Sequence, residues 1–267
     1  MAETPAVETF DLTRRFGDVV AVDRLDLTIE HGVFFGLLGS NGAGKSTTIK
    51  MLTTLLPPTS GRARVVGFDV ARQAREVRAH IGYVPQMVSA DAQLTGRENL
   101  LMFAKLYDVP RAERAARASE ALAFMGLTDV GERLVRTYSG GMIRRLEVAQ
   151  ALLHRPAVVF LDEPTVGLDP VAKRAVWEKL RDLRARFGTT VLLTTHDMEE
   201  AEALCGRIAI MHHGRIVALG TPAELEAEVG PDATMDDVFV HFTGGAVDEG
   251  GTYREVARTR RAAQRLG

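Results

Sequence analysis

The stretch from Gly39 to Thr47 combines the residue types that a phosphate-binding site requires. It reads G-S-N-G-A-G-K-S-T, which fits the P-loop pattern G-x-x-x-x-G-K-[ST]. Its glycines permit backbone conformations that a Cβ would block, so that N–H groups at a helix N-terminus can surround a polyphosphate. We expect Lys45 to reach the β- and γ-phosphates of a nucleotide and the Ser46 hydroxyl to hold Mg²⁺. The residues predicted to form this site are Gly39, Ser40, Asn41, Gly42, Ala43, Gly44, Lys45, Ser46 and Thr47.

A second candidate for chemistry is the acidic pair Asp162-Glu163. It follows directly after the apolar run 157–161, which is typical of a parallel strand buried on both faces. Asp162 is predicted to hold Mg²⁺ through water, and Glu163 to orient or deprotonate the water that attacks the nucleotide. Carboxylates at strand ends also occur in structural ion pairs, but their place downstream of a P-loop favours the catalytic interpretation.

These residues need a buried strand before the loop and a helix after it, and the sequence provides both. The apolar run 33–38 precedes the P-loop, and residues 48–52 continue it with helical spacing. Further strand-like runs, including 189–194, alternate with helical segments, which is typical of a parallel sheet. Turn-linked strands before residue 33 indicate an antiparallel sheet, and the segment 87–156 reads as helical. The prediction is an α/β fold: a P-loop NTPase core with a mainly parallel sheet, an N-terminal antiparallel β subdomain and an inserted helical subdomain.

Local patterns predict several element boundaries. Residues 19–22 and 25–29 are predicted to form two separate strands, and 207–211 with 215–219 a final hairpin. Four helices are predicted to begin at capping side chains, because hydroxyl and carboxylate oxygens can accept hydrogen bonds from the first helical N–H groups. The caps are Thr95 with Glu98, Ser139, Asp169 followed by Pro170, and Asp197 with Glu200.

Composition narrows the functional classes. The 267 residues are 46% hydrophobic and 25% charged with a net charge of −2, which is ordinary for a globular protein and gives no footprint for nucleic acid. The single cysteine, Cys205, excludes an internal disulfide and fits a reducing compartment. We expect no signal peptide, and no apolar run approaches the roughly 18 residues of a membrane span. If the protein acts at a membrane, we therefore expect it to do so through a partner protein.

Phe16 lies upstream of the phosphate loop and has two interpretations. An aromatic residue at the end of a strand is more often part of a core, and from the residues alone this is the favoured one. The alternative is an exposed ring on which an adenine base stacks.

The order of these motifs resembles the nucleotide-binding subunit of ABC transporters over residues 7–225. The resemblance rests on the P-loop, a glutamine after a strand at Gln86, the signature-like Tyr138-Ser139-Gly140-Gly141-Met142, the acidic pair in Val158-Val159-Phe160-Leu161-Asp162-Glu163-Pro164, the run Gly167-Leu168-Asp169-Pro170, and a histidine after the last core strand at His196. A kinase or GTPase interpretation would leave the signature and the histidine unexplained.

The resemblance implies a role for each matched residue. It implies that Phe16 stacks on the adenine of ATP, which reverses the interpretation from the residues alone. It implies that Gln86 touches Mg²⁺ or the attacking water and senses the membrane subunit, and that His196 contacts the γ-phosphate. Ser139, Gly140 and Gly141 are expected to bind the γ-phosphate held by a second protomer, with Asp169 at the same interface. Two ATP molecules would then lie between two chains with two-fold symmetry.

Met142 departs from the family pattern, which usually has Gln at this position. A Gln there would return a hydrogen bond to the backbone of Ser139, and Met cannot. Met142, with the following 144–147 run and the segment 235–244, resembles the daunorubicin-resistance branch of exporter ATPases. That resemblance implies efflux of a drug-like or other hydrophobic compound through a separately encoded membrane permease. It also implies a peripheral position at the cytoplasmic face of the cell membrane.

The predicted organisation is one ATPase domain over residues 6–225, with its helical subdomain at about 87–156, and a C-terminal extension over 226–267. The extension ends in an arginine-rich tail, for which a solvated end and contact with anionic lipid or the membrane subunit are both open. There are two alternatives to an exporter subunit. A soluble ATPase acting on DNA or ribosomes is disfavoured by the single ATPase unit and the absence of a basic patch. A non-catalytic regulatory subunit is disfavoured because Lys45, Asp162, Glu163 and His196 are all present.

Overall fold

The computed structural model describes residues 4–244, apart from the side chains at positions 184 and 187. The arginine-rich tail predicted beyond Gly244 lies outside these residues. The strands are β1 Val7–Phe16, β2 Val19–Ile29, β3 Phe34–Leu38, β4 Ser60–Val65, β5 Phe68–Asp69, β6 Ile81–Val84, β7 Val158–Asp162, β8 Thr190–Thr195, β9 Arg207–His212 and β10 Arg215–Gly220. The helices are α1 Lys45–Leu52, α2 Ala74–His80, α3 Gly96–Leu106, α4 Arg114–Phe124, α5 Gly140–Leu152, α6 Pro170–Phe187, α7 Met198–Leu204, α8 Pro222–Val229 and α9 Met235–Thr243.

The larger sheet has six strands in the order β10-β9-β3-β8-β7-β6. Its pairings are parallel except for the β9–β10 hairpin, as the sequence predicted. Every residue of β3, β7 and β8 is buried. Continuous apolar runs are required here because helices or a second sheet cover both faces of a parallel sheet.

Side chains alternate between two cores on the two faces of this sheet. Phe34 and Leu38 of β3 pack into the core shared with the helices, whereas Phe35 and Leu37 pack into the core shared with the smaller sheet. This alternation follows from the two-residue period of a strand. The carboxyl ends of β3, β7 and β8 are thereby held in register at one edge of the sheet.

The smaller sheet is antiparallel, in the order β2-β1-β4-β5. The expectation of two strands at 19–22 and 25–29 was wrong, since β2 runs continuously from Val19 to Ile29. Arg24 has a φ of +46°, and the β1–β2 register shifts between Leu12 and Arg14. An irregularity inside a paired strand breaks the two-residue sequence pattern without ending the strand.

Helices α3, α4 and α5 pack together beside the sheets, within the segment predicted to be helical. The Thr95–Glu98 capping box is present, and the Ser139 side chain accepts a hydrogen bond from the Met142 N–H. Asp169 Oδ1 accepts from the N–H groups of residues 171 and 172 at the start of α6. Asp197 caps α7, although the Glu200 side chain turns into the core instead of completing a capping box. Within residues 4–244, no helix has both the length and the apolar character needed to cross a bilayer.

Candidate nucleotide site

The phosphate loop connects the carboxyl end of β3 to the first residue of α1, at the centre of the larger sheet. Gly42 and Gly44 have φ values of +80° and +109°, a region that L side chains rarely adopt. A Cβ on Gly44 would lie 2.4 Å from the carbonyl oxygen of Ala21, and one on Gly39 would lie 2.5 Å from that of Met211. Glycine is therefore required at both positions by close backbone approach.

Lys45 is buried at the base of this loop. Its Nζ donates to the carbonyl oxygens of Gly39 and Ser40 at 2.8 and 3.1 Å, and lies 3.3 Å from Glu163 Oε1. Burial lowers the pKa of Lys45, and the neighbouring Glu163 carboxylate opposes that shift. The loop thus holds a desolvated cation where a polyphosphate would bind.

Asp162 lies at the end of β7 and faces α1. Its Oδ1 accepts hydrogen bonds from the Ser46 hydroxyl at 2.9 Å and from the Thr194 hydroxyl at 2.7 Å. A carboxylate and a hydroxyl oxygen in contact are the hard oxygen donors that Mg²⁺ prefers. The donor set present at Ser46 and Asp162 therefore fits the predicted metal.

Glu163 is the residue on which three of the predicted site side chains converge. Its carboxylate accepts a hydrogen bond from Gln86 Nε2 at 3.1 Å and lies 3.3 Å from both Lys45 Nζ and His196 Nδ1. Its backbone has a φ of +48°, in the left-handed region, and its N–H donates to both the carbonyl and the hydroxyl of Thr194. Such a conformation costs about 1–3 kcal/mol and persists only where surrounding contacts enforce it.

The contact between Glu163 and His196 shifts the pKa of both side chains. The hydrogen bond from His196, assisted by Lys45, lowers the pKa of Glu163 despite its burial. The same hydrogen bond raises the pKa of His196 above 6.5. The contact therefore favours the protonated form of His196 and the ionised form of Glu163.

The signature residues lie away from the phosphate loop of their own chain. The cleft around the loop is lined by Ala21, Asn41, Gly42, Gly44, Lys45, Ser46, Thr47, Gln86 and Glu163. Ser139, Gly140 and Gly141 instead start α5 against the beginning of α6, where a Cβ on Gly141 would lie 2.8 Å from Ala172 Cβ. Within one chain, the structure separates these two groups of predicted site residues.

Phe16 is exposed over 47% of its surface, so the interpretation as a core aromatic was wrong. The guanidinium of Arg14 lies over its ring at 4.6 Å from the centroid. An exposed aromatic ring at this position is suited to stacking on a flat base.

Three residues at this site were not identified from the sequence. Thr194 lies opposite Asp162 in the β7–β8 register and fixes both acids, but in sequence it is only one more β-branched strand residue. Glu200, predicted only as a cap partner, is buried and accepts from Thr165 Oγ1 at 2.6 Å and Trp177 Nε1 at 3.0 Å. Desolvation raises the pKa of Glu200. Arg144 is the third, and nothing in its sequence context marks it as buried.

The comparisons with known proteins agree with this geometry. The chain matches the ABC transporter family over residues 22–166. It is 48% identical over 227 residues to the daunorubicin/doxorubicin resistance ATP-binding protein DrrA of Streptomyces peucetius, covering 85% of this chain and 68% of that protein. It is 44% identical over 228 residues to the Nod factor export ATP-binding protein I of Paraburkholderia xenovorans strain LB400, covering 85% and 75%.

Two solved structures share the fold. One is an ATP-binding subunit of an ABC transporter, with a TM-score of 0.79, 30% identity, and coverage of 90% of this chain and 99% of that one. The other is a dimeric ATP-binding cassette in a post-hydrolysis state bound to ADP and Pi, with a TM-score of 0.72, 26% identity, and coverage of 80% and 98%.

The glycine loop on a central parallel strand, the buried lysine and the strand-end acids define a P-loop nucleoside triphosphatase. The chain belongs to the ABC transporter family, in the branch that contains the daunorubicin-resistance ATP-binding proteins. It is an ATP-binding ATPase of that family.

Proposed function

We propose that this chain hydrolyses ATP to drive efflux of a drug-like or other hydrophobic compound through a separate membrane permease. The observation that carries the proposal is the convergence of Lys45, Gln86 and His196 on the carboxylate of Glu163. The similarity to the daunorubicin/doxorubicin resistance protein supports the class of substrate.

In the proposed site the phosphates of ATP lie in the loop from Gly39 to Thr47, and Phe16 stacks on the adenine. The γ-phosphate draws Lys45 away from Glu163, because a polyphosphate offers the buried ammonium more negative charge than one carboxylate. Glu163 is then free to orient the attacking water and to accept its proton, and His196 donates a hydrogen bond to the γ-phosphate. The catalytic residues are Glu163, His196 and Lys45.

Ser46, Asp162 and Gln86 are proposed to hold Mg²⁺ with the nucleotide. The existing contact between Ser46 Oγ and Asp162 Oδ1 supports this assignment for the first two. The ion would neutralise charge on the phosphate oxygens. Gln86 is proposed to couple the metal site to the permease. The loop that carries it also exposes the apolar side chains of Met87 and Val88, which the permease could contact.

Ser139, Gly140 and Gly141 are proposed to bind the γ-phosphate of ATP on a second copy of the chain. Their separation from the phosphate loop of their own chain supports a site completed in trans. Ser139 caps the N-terminus of α5, where unsatisfied N–H groups attract an anion. Two chains related by a two-fold axis would thus enclose two ATP molecules, with Asp169 at the interface, and hydrolysis would reopen the dimer.

The proposed ATPase domain spans residues 6–225, with a helical subdomain at about 87–156 that faces the permease. Residues 226–267 are proposed to form a C-terminal extension. Attachment through the permease places the chain at the cytoplasmic face of the cell membrane. No contact with nucleic acid is proposed.

The test is transport by the chain together with its membrane subunit in inside-out vesicles. We expect ATP-dependent accumulation of daunorubicin with the wild-type chain and none with Glu163→Gln. Glu178→Gln, an exposed glutamate on α6, is the matched control and should transport normally. Full hydrolysis without accumulation of any hydrophobic compound would contradict the export assignment, and full hydrolysis by Glu163→Gln would contradict the proposed chemistry.

A further inference from the structure

A buried ion pair on α5 takes no part in the chemistry described so far. Arg144 Nη1 lies 3.1 Å from Glu147 Oε2, and the two residues are 6% and 2% exposed. The free-energy cost of desolvating two charges is usually about as large as the gain from their attraction. A buried ion pair is therefore weak evidence for a stabilising role. Its partners indicate another purpose.

The Arg144 guanidinium joins two segments of the catalytic edge. Nη1 donates to the carbonyl oxygen of Pro85 at 2.7 Å, and Nη2 donates to that of Gln86 at 3.2 Å. Nη2 also lies 3.4 Å from the carbonyl oxygen of Glu163. One side chain therefore holds the loop after β6 and the peptide after β7.

Glu147 holds the same loop at a second point. Its Oε1 accepts hydrogen bonds from the N–H and, at 3.0 Å, from the hydroxyl of Ser89. Residues 85–89 are thus fixed to α5 at both ends. The Gln86 side chain donates a hydrogen bond to Glu163 Oε2. This bond closes a ring of contacts that runs through α5, the 85–89 loop and Glu163.

The ring also accounts for the backbone of Glu163. Thr194 holds the N–H of that residue and Arg144 holds its carbonyl, so the left-handed peptide is fixed on both sides. The same helix begins at Ser139, the proposed anion site for the second chain. A movement of the 85–89 loop would therefore displace both Glu163 and the signature residues at the start of α5.

We propose that Arg144 and Glu147 are positioning residues that lock the Gln86 loop, the Glu163 peptide and the signature helix into one unit. This inference rests on the proposed function, because it assigns the unit to the coupling of permease movement with hydrolysis. Neither side chain reaches the reacting atoms. Their removal should misplace Glu163 and Gln86 without weakening ATP binding at the phosphate loop.

The test compares the full chain with the double variant Arg144→Met/Glu147→Met. Replacing a buried ion pair with apolar side chains of similar volume is often neutral or stabilising, so the variant should fold. A misplacement of about 1 Å costs on the order of 100-fold in rate. We expect kcat for ATP hydrolysis to fall at least about tenfold while KM for ATP stays within about twofold. Amide hydrogen exchange of residues 85–89 should accelerate.

The matched control is Glu113→Met/Arg117→Met at the start of α4. Arg117 likewise pairs with a glutamate and donates to a backbone carbonyl, that of Leu153, at 2.9 Å. It has no part in the ring, so kcat should remain at the wild-type value. Wild-type kcat in the Arg144→Met/Glu147→Met variant, or an equal loss in the control, would overturn the proposal.

A second variant tests the proposal if the double variant does not fold. Arg144→Lys keeps the charge, but one nitrogen cannot reach all the carbonyl oxygens that Nη1 and Nη2 hold, so kcat should again fall with little change in KM. An unchanged kcat there would overturn the proposal. Absence of hydrolysis by the wild-type chain would contradict the proposed function, and hydrogen exchange of residues 85–89 would still test the ring.

Discussion

Replacing Glu163 with glutamine removes one negative charge from the point where three side chains meet. The amide keeps the size of the carboxylate, so Gln86 and Thr194 need not move. Lys45 loses its ion pair at 3.3 Å but keeps the carbonyl oxygens of Gly39 and Ser40. Breaking a buried pair can cost 3–5 kcal/mol, and the two retained partners should limit the loss of folding free energy to about 1–2 kcal/mol.

The kinetic effect should be larger than the effect on stability. General-base assistance contributes about 10²–10⁴ in rate, which corresponds to a barrier increase of about 3–5 kcal/mol. Affinity for ATP should stay near the wild-type value, because Lys45, Ser46 and Asp162 are unchanged. Steady-state hydrolysis and nucleotide titration measure the two quantities separately.

The same variant should change the pH dependence of stability. Because Glu163 raises the pKa of His196, this pair stabilises the fold fully below the unfolded His pKa of 6.5 and loses that contribution as the pH rises through the folded value. The lowered pKa of Glu163 gives stability above 4.5 that is lost as the pH falls. Melting curves should therefore show a maximum between these limits that Glu163→Gln flattens, with the His196 pKa falling towards 6.5 by NMR. An unshifted His196 pKa, or a kcat within twofold of wild type, would contradict the role proposed for Glu163.

Outcomes are expected for four further variants. Gln86→Ala should keep its nucleotide affinity and lose transport with the permease, and a large loss of affinity in the isolated chain would assign Gln86 to binding. Met142→Gln should remain active and gain up to about 0.5 kcal/mol from a reciprocal cap in urea unfolding, whereas Ser139→Arg should abolish turnover with ATP binding intact. An inactive Met142→Gln or an active Ser139→Arg would contradict the trans site. Glu200→Ala should lower the free energy of unfolding by about 2–4 kcal/mol, since it leaves two buried donors without an acceptor, and a change below 0.5 kcal/mol would contradict that role.

Much of the fold was predictable because its strongest constraints are local. The buried strands β3, β7 and β8 require apolar runs, and the helices after β7 and β8 begin at Asp169 and Asp197, which cap them. The β2 strand was not predicted as one element, because the irregularity at Arg24 depends on its pairing with β1, which the local pattern of residues 19–29 does not show.

Those residues of the nucleotide site that belong to sequence motifs could be predicted from the sequence. Lys45, Asp162 and His196 each follow a recognisable strand, and the structure brings two of them to Glu163 and places the third beside Ser46. Arg144 was not predicted because a buried arginine on a helix looks like a solvated one in sequence. Its role depends on carbonyl groups from two distant segments.

Two copies of the chain are proposed to enclose ATP between the phosphate loop of one and Ser139 of the other. The most direct test is the molar mass of Glu163→Gln by light scattering with Mg²⁺ and ATP, beside the same variant carrying Ser139→Arg. We expect twice the mass of one chain for Glu163→Gln and the mass of one chain once Ser139→Arg is added. A single-chain mass for Glu163→Gln with ATP bound would contradict it.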